Sequence, residues 1–300
     1  MDTSPLVFVS APELADGDCE SRPPILDPIL GAGRLCLIYG PSGVGKSLLA
    51  LGIAWAAASG ASFLGWQASR PHKVLYLDGE MSEADLRQRL RLFGPAPPSL
   101  SFSLADRTLG PVLDLARLDG LERLVASWDW PELLVIDSLS TLAGLVGIDP
   151  ERWHELRRFL MALRRAGVSV LVIHHTNRDG DLRGSRRRED AMDLVMALRR
   201  PRDWCPRDGA RFEIHVEEIC GGRAFDPIVA QLCTDAQRPH WQWQSLRGPA
   251  IDRAVALLRQ GLGAEAMGKA MASHAPRPTG CSAGPGSSAG SPIAIREHER

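Results

Sequence analysis

Lysine is scarce in this sequence. Of 35 basic residues only Lys46, Lys73 and Lys269 are lysine, so a lysine inside a motif carries unusual weight. An excess of either charge is also missing. The formal net charge is −1, so nothing draws the whole molecule toward nucleic acid, and any such contact must come from a local patch. The six cysteines (Cys19, Cys36, Cys205, Cys220, Cys233 and Cys281) include no C-x-x-C pair and no short secreted framework, so they read as reduced thiols. No apolar run approaches the length of a membrane span, and the opening MDTSPLVFVSAPELADGDCE has no basic leader region. The expectation is a soluble, cytoplasmic protein without a membrane segment. No internal repeat is visible.

What is present is enough for one main core. The 300 residues are 44% hydrophobic, which suits a single sizeable α/β domain with appendages. Residues 1–33, rich in Pro, Asp and Gly, read as an extended arm lying on this core or on a neighbouring subunit. From Arg34 onward, short apolar runs alternate with helical spacing: RLCLIY, then SLLALGIAWAAASG; KVLYLDGE, then SEADLRQRLRLF; LSFSL, then ARLDGLERLVASW; ELLVIDSLS, then PERWHELRRFLMALRRAG; and finally VSVLVIHH. Near-continuous apolar strands between helices predict a mostly parallel sheet covered on both faces. After residue 190 the runs DLVMAL, ARFEIHVEEI, PIVAQLC and HWQWQSL predict antiparallel strands added at one edge. The expected core is therefore residues 34–247, followed by a helical segment at 248–272 and a disordered Gly/Ser/Pro-rich tail at 273–300. The stretch AIDRAVALLRQGLGAEAMGKAM resembles the opening helices of a helix-turn-helix, but no recognition helix follows it.

GPSGVGKS, residues 40–47, stands between a strand and a helix and matches G-x-x-x-x-G-K-[ST]. In that pattern Gly40, Pro41, Ser42, Gly43, Val44 and Gly45 form a tight loop whose N–H groups face phosphate oxygens. Lys46 would reach the β and γ phosphates of ATP, and the Ser47 hydroxyl would hold Mg²⁺. LLVID supplies a partner acid, Asp137. Alone, an apolar run ending in Asp is as readily a turn or a helix cap; beside a phosphate loop it becomes a Mg²⁺ partner, acting through water. Glu80, just beyond the strand that follows the loop helix, can orient or deprotonate an attacking water. Asp78 and Glu83 are less well placed for that role, and Glu80 also reads as a solvated residue ahead of a helix start. Ser82 and Asp85 have the spacing of an N-cap pair.

Together the phosphate loop, YLDGEMSEADLRQRL, LLVIDSLS and VLVIHHTNRDGDLRGS resemble the RecA-fold ATPase core of hexameric DNA helicases, of the plasmid RepA and DnaB types, over about residues 25–235. The resemblance implies a RecA-like P-loop NTPase that forms a ring, with a hexamer or a filament expected, and acts on single-stranded DNA during replication of a mobile element. It places Glu80 at the catalytic glutamate and His175 at the residue that senses the γ-phosphate; His174 is the neighbour. It places residues 176–188 at a channel-facing loop, where Arg178, Arg183, Arg186 and Arg187 become candidates for the DNA backbone.

Blander roles compete with these assignments. Adjacent strand residues face opposite sides, so His174 and His175 cannot share one metal, and either can be a locally bonded histidine. RRRED reads equally as a solvated helix start, and no aromatic residue interleaves with its arginines. Trp241 and Trp243 lie on a late strand and suit packing or an interface. Such rings also complete each site with an arginine or lysine from the next subunit. Here the matching positions hold Glu218 and Cys220, Asp193 stands where RepA-type chains have an arginine finger, and Arg223 is the nearby substitute. A finger contributes about 10³–10⁵ in turnover, so two further functions stand beside the helicase: a recombination or regulatory ATPase that does not unwind, and a non-catalytic ATP-binding interaction protein.

Overall fold

Six residues, Leu-Cys-Leu-Ile-Tyr-Gly, form strand β1 (Leu35–Gly40) at the centre of a nine-stranded sheet. The coordinates are a computed structural model, and the description covers residues 8–16, 23–107, 113–126, 129–143, 150–176, 191–220, 225–234 and 239–246. Around β1 lie β4 (Val74–Asp78), β5 (Leu100–Leu104), β6 (Leu133–Asp137), β7 (Ser169–His175), β8 (Leu194–Arg199), β9 (Arg211–Ile219), β10 (Ile228–Cys233) and β11 (His240–Ser245). A small hairpin, β2 (Ser62–Phe63) and β3 (Trp66–Gln67), stands apart. The sheet order is β11-β10-β9-β8-β1-β7-β6-β4-β5. From β8 to β5 all pairs are parallel, and β9, β10 and β11 add antiparallel at one edge.

The expectation for the region after residue 190 changes at one strand. β8 runs parallel to β1 instead of joining the antiparallel set, pairing Cys36 with Leu194 through Tyr39 with Ala197. A strand's direction is set by how its connection crosses the sheet, which side-chain periodicity does not record.

Helices cover both faces because the parallel strands are apolar on both sides. On one face lies α2 (Lys46–Ser59), whose Leu and Ala residues are buried nearly all round. It stops at Gly60, which takes φ 71° and donates its N–H to Ala56 O. α3 (Glu83–Leu90) adds Leu86 to the same core, and Ser82 caps it by accepting from Asp85 N–H at 3.1 Å. On the other face lie α4 (Leu118–Ala126), the short α5 (Leu139–Leu142) and α6 (Pro150–Arg165). α6 buries Leu156, Phe159, Leu160 and Leu163, one stripe at helical spacing, each stabilising the fold by about 1.5–3 kcal/mol.

The N-terminal region has two parts. In α1 (Ala11–Asp16) the residues Ala11, Pro12, Glu13 and Ala15 are exposed, with Phe8 just before it at 87% exposure. Ile25, Leu26, Ile29 and Leu30, placed in the arm by composition, are buried in the α2-side core. Their backbone is tied by reciprocal Leu26–Leu30 hydrogen bonds and by a pair between Asp27 and Gln67. Apolar residues at this spacing gain more from burial than a local Pro/Asp composition costs.

This layering brings the C-terminal ends of β1, β4, β6 and β7 to one rim, the position where open α/β sheets bind ligands. A cavity of about 460 Å³, lined among others by Arg70, Trp130, Glu132 and Val168, opens at the other rim, away from Lys46, Glu80, Asp137 and His175. Among the described residues no helix is long and apolar enough to cross a membrane.

Candidate nucleotide site

The loop after β1 has the shape of an anion cradle. Gly45 takes φ 117°, and a Cβ there would stand 2.7 Å from Phe212 Cδ1, so both backbone and space require glycine. Gly40 packs against β8 so closely that a Cβ would lie 2.6 Å from Leu198 O. Pro41, Ser42 and Gly43 form the exposed arch, while Val44 is buried beneath it. Lys46 begins α2 with only 4% of its surface exposed, and its Nζ donates to Gly40 O and Pro41 O, each at 2.8 Å. Burial pulls the Lys46 ammonium down to about 8, and the carboxylates of Asp137 and Glu80 act against that pull.

Asp137 ends β6, beside β4 and one strand removed from β1. Its Oδ2 accepts from the buried Tyr76 hydroxyl at 2.6 Å, while Oδ1 is buried without a hydrogen-bond partner. Burial pushes the carboxyl up to about 6; the Tyr76 hydroxyl, with the nearby Ser47 hydroxyl, works in the opposite direction. Asp78 Oδ2 is a second buried oxygen without a partner, and burial raises this carboxyl too. Such oxygens are costly unless something polar meets them. A hard divalent cation takes oxygen ligands, so Asp137 and Ser47 fit Mg²⁺. The other Asp78 oxygen, Oδ1, accepts from Glu80 N–H at 2.9 Å and Met81 N–H at 2.7 Å, shaping the turn that presents Glu80.

Glu80 Oε1 is a meeting point. Thr141 Oγ1 donates to it at 2.9 Å, Ser138 Oγ also donates, and His175 Nε2 lies 3.1 Å away. The His175 contact is the largest cause holding the Glu80 carboxyl down at about 2, with burial opposing it. A carboxylate only accepts, so His175 must carry its proton on Nε2 to bond here. His174 is buried and pairs in register with Tyr39, so the two neighbours do occupy different environments. The Asp137–Ser138 peptide is cis.

Lys46, Ser47, Glu80, Asp137 and His175, all expected from the sequence, stand together at one rim. Tyr76, Ser138 and Thr141 join them without a signal in the sequence. Tyr76 reads as a core aromatic, and the two hydroxyls meet Glu80 only through the fold. Residues 177–190, with Arg178, Arg183, Arg186 and Arg187, lie outside the described residues, as does Arg223. Glu218 and Cys220 are exposed at the end of β9 farther from the phosphate loop, where Cys220 N–H bonds Asp193 O at 2.7 Å. Asp193 is a buried structural anchor: it accepts from Arg34 at 2.7 Å and Leu35 N–H at 2.9 Å and pairs with Arg164 at 3.1 Å.

The order β8-β1-β7-β6-β4, with a phosphate loop after β1 and acids after β4 and β6, defines a RecA-like P-loop ATPase fold. Residues 3–181 match the AAA domain family (AAA_25), and the chain belongs to that family. No curated protein matches the sequence. Similar solved structures include the KaiC-like protein PH0186 from the hyperthermophilic archaeon Pyrococcus horikoshii OT3, with 16% identity, TM-score 0.48, and coverage of 71% of this chain and 94% of that one. The flagellar accessory protein FlaH from Methanocaldococcus jannaschii shares 11% identity at TM-score 0.46, covering 67% of this chain and 86% of its own.

Proposed function

We propose that this chain is a Mg²⁺-dependent ATPase that assembles as a ring or filament and couples hydrolysis to single-stranded DNA, as a RepA- or DnaB-like helicase or helicase-related protein. The observation that carries the ATPase part is the convergence of Lys46, Asp137 and Glu80 on one rim, with Asp137 Oδ1 buried and unpartnered. The DNA part rests on the resemblance of IHHTNRDGDLRGS, which begins at the end of β7.

Asp137 and Ser47 would hold Mg²⁺, which would supply positive charge against the phosphate oxygens. Lys46, released from Gly40 O and Pro41 O, offers its ammonium to the same oxygens. Glu80 aligns a water with the γ-phosphorus. The water oxygen bonds to phosphorus, the bond from phosphorus to the ADP oxygen breaks, and the water proton passes to the Glu80 carboxylate. Because His175 holds Glu80 at about 2, Glu80 is a weak base while that contact lasts and a stronger one when it opens. Residues 176–188 follow directly, so the contact joins the nucleotide to the segment that would face DNA.

Phosphate release with and without single-stranded DNA, strand displacement, and mass measurement with ATP test the proposal together. DNA-stimulated turnover by a hexamer with strand displacement is the expected result. Turnover without displacement would leave a non-unwinding ATPase. A second function, ATP binding with slow turnover, is favoured by Glu218 and Cys220 standing where a partner's cation is expected. ATP bound but not hydrolysed would support it.

A further inference from the structure

One cation outside the phosphate loop takes no part in the roles above. Arg200 follows β8 directly, and its Nη2 donates to Gly43 O at 3.1 Å. Its guanidinium carbon lies 3.4 Å from the centroid of the Trp204 ring. Trp204 is itself held, its Nε1 donating to Gly209 O at 3.3 Å and its N–H to Pro201 O at 3.0 Å. An exposed arginine ordinarily samples many rotamers; here a stack and a hydrogen bond restrict it.

The peptide unit that Arg200 grips explains why this matters. Gly43 O and Val44 N–H belong to one peptide plane, and a trans peptide points them in opposite directions. A cation on the carbonyl therefore fixes the N–H toward the inside of the loop and polarises it. Inside, Val44 N–H meets only Pro41 O at a long 3.4 Å, which leaves it able to take a stronger acceptor. The rim holds the carboxylates of Asp78, Glu80 and Asp137 against the ammonium of Lys46, so a further positive charge favours a polyanion there.

We propose that Arg200 is a positioning residue and the second cation of the nucleotide site, acting within its own chain through the Gly43–Val44 peptide, with Trp204 as its clamp. The inference rests on the loop being a phosphate site.

The test is equilibrium binding of ATP and of inorganic tripolyphosphate, which has neither base nor ribose, to the full chain over a range of salt concentrations. Arg200→Ala should weaken both ligands by the same factor, about tenfold, the range of a hydrogen bond to a charged group. It should also flatten the fall of affinity with salt, which a merely structural role would leave unchanged. Arg200→Lys should restore the salt dependence but not the full affinity, since lysine keeps the charge without the planar stack. Trp204→Ala should fall between wild type and Arg200→Ala. Weaker ATP binding with unchanged tripolyphosphate binding would move Arg200 to the base and overturn the proposal, as would unchanged affinity for both. A wild-type chain that binds neither ligand would remove the phosphate site itself, and the inference with it.

Discussion

His175 Nε2 and Glu80 Oε1 lie 3.1 Å apart, joining the end of β7 to the turn after β4 across 95 residues of sequence. The contact sets how basic Glu80 is. Glu80 is held at about 2 against an ordinary 4.5, so it stays ionised through the whole mildly acidic range. In His175→Ala its largest stabilising partner is gone, and its midpoint moves up toward 4.5. With Mg²⁺ saturating, so that Asp137 stays ionised in both proteins, turnover of the wild type should therefore be insensitive to protonation of Glu80 between pH 6 and pH 4, while the variant loses rate as pH falls across that window. Coincident acid limbs in pH–rate profiles of the two proteins would count against the contact.

Glu80→Gln keeps the size of the side chain and removes its ability to take a proton. ATP binding should persist while phosphate release falls by about 10²–10⁴, the usual contribution of a positioned acid or base. Comparing nucleotide binding with single-turnover phosphate release checks both halves, and unimpaired hydrolysis would take Glu80 out of this role.

Lys46 links ATP affinity to pH. Burial lowers the ammonium from 10.5 to about 8, and a bound polyphosphate favours the charged form. Affinity should be full below about pH 8 and decline as pH rises through it, with proton uptake on binding just above that value. Calorimetry in buffers of different ionisation enthalpy measures the uptake. Lys46→Ala should abolish it and weaken binding itself.

Asp137 titrates in the opposite sense. Its carboxyl is raised to about 6, so Mg²⁺ affinity should be present above that value and lost as pH falls through it. Tyr76→Phe deletes the hydroxyl that bonds Oδ2 and supports the ionised form. The variant's Mg²⁺ titration midpoint should move to higher pH, with weaker binding at pH 6.5. An unchanged Mg²⁺ dependence would leave Tyr76 with a packing role alone.

Gly45→Ala forces a Cβ to 2.7 Å from Phe212 Cδ1 at φ 117°. The strain should cost about 1–3 kcal/mol of stability and remove nucleotide binding. Thermal unfolding of Gly45→Ala beside Gly45→Ala with Phe212→Leu separates the two causes, since the second substitution relieves the contact but leaves the backbone conformation.

The parallel sheet and the phosphate loop were legible because each is written locally. An apolar run, a glycine-rich turn and a helical stripe sit next to one another in sequence. Asp137 and Glu80 were legible because each closes such a run. Tyr76, Ser138, Thr141 and Arg200 were not, since their partners lie far away in sequence and only the strand order makes them neighbours. Residues 25–30 lie on this core, one of the two places expected for the arm, but how deeply they are buried was not foreseen. The spacing of Ile25, Leu26, Ile29 and Leu30 was a readable signal of burial, obscured by Pro23, Pro24, Asp27 and Pro28 around it.

β7 is bonded unevenly along its length. Its ladder with β6 runs only as far as Val172, paired with Ile136, whereas its ladder with β1 continues to His175, paired with Gly40. The last three residues are thus a cantilever, fixed along one flank. Thr176 N–H bonds Gly40 O at 3.2 Å, the same carbonyl that receives Lys46 Nζ. A load drawn along the chain beyond Thr176 falls first on that one oxygen, so the root of the phosphate loop and the tip of the beam share a single knot.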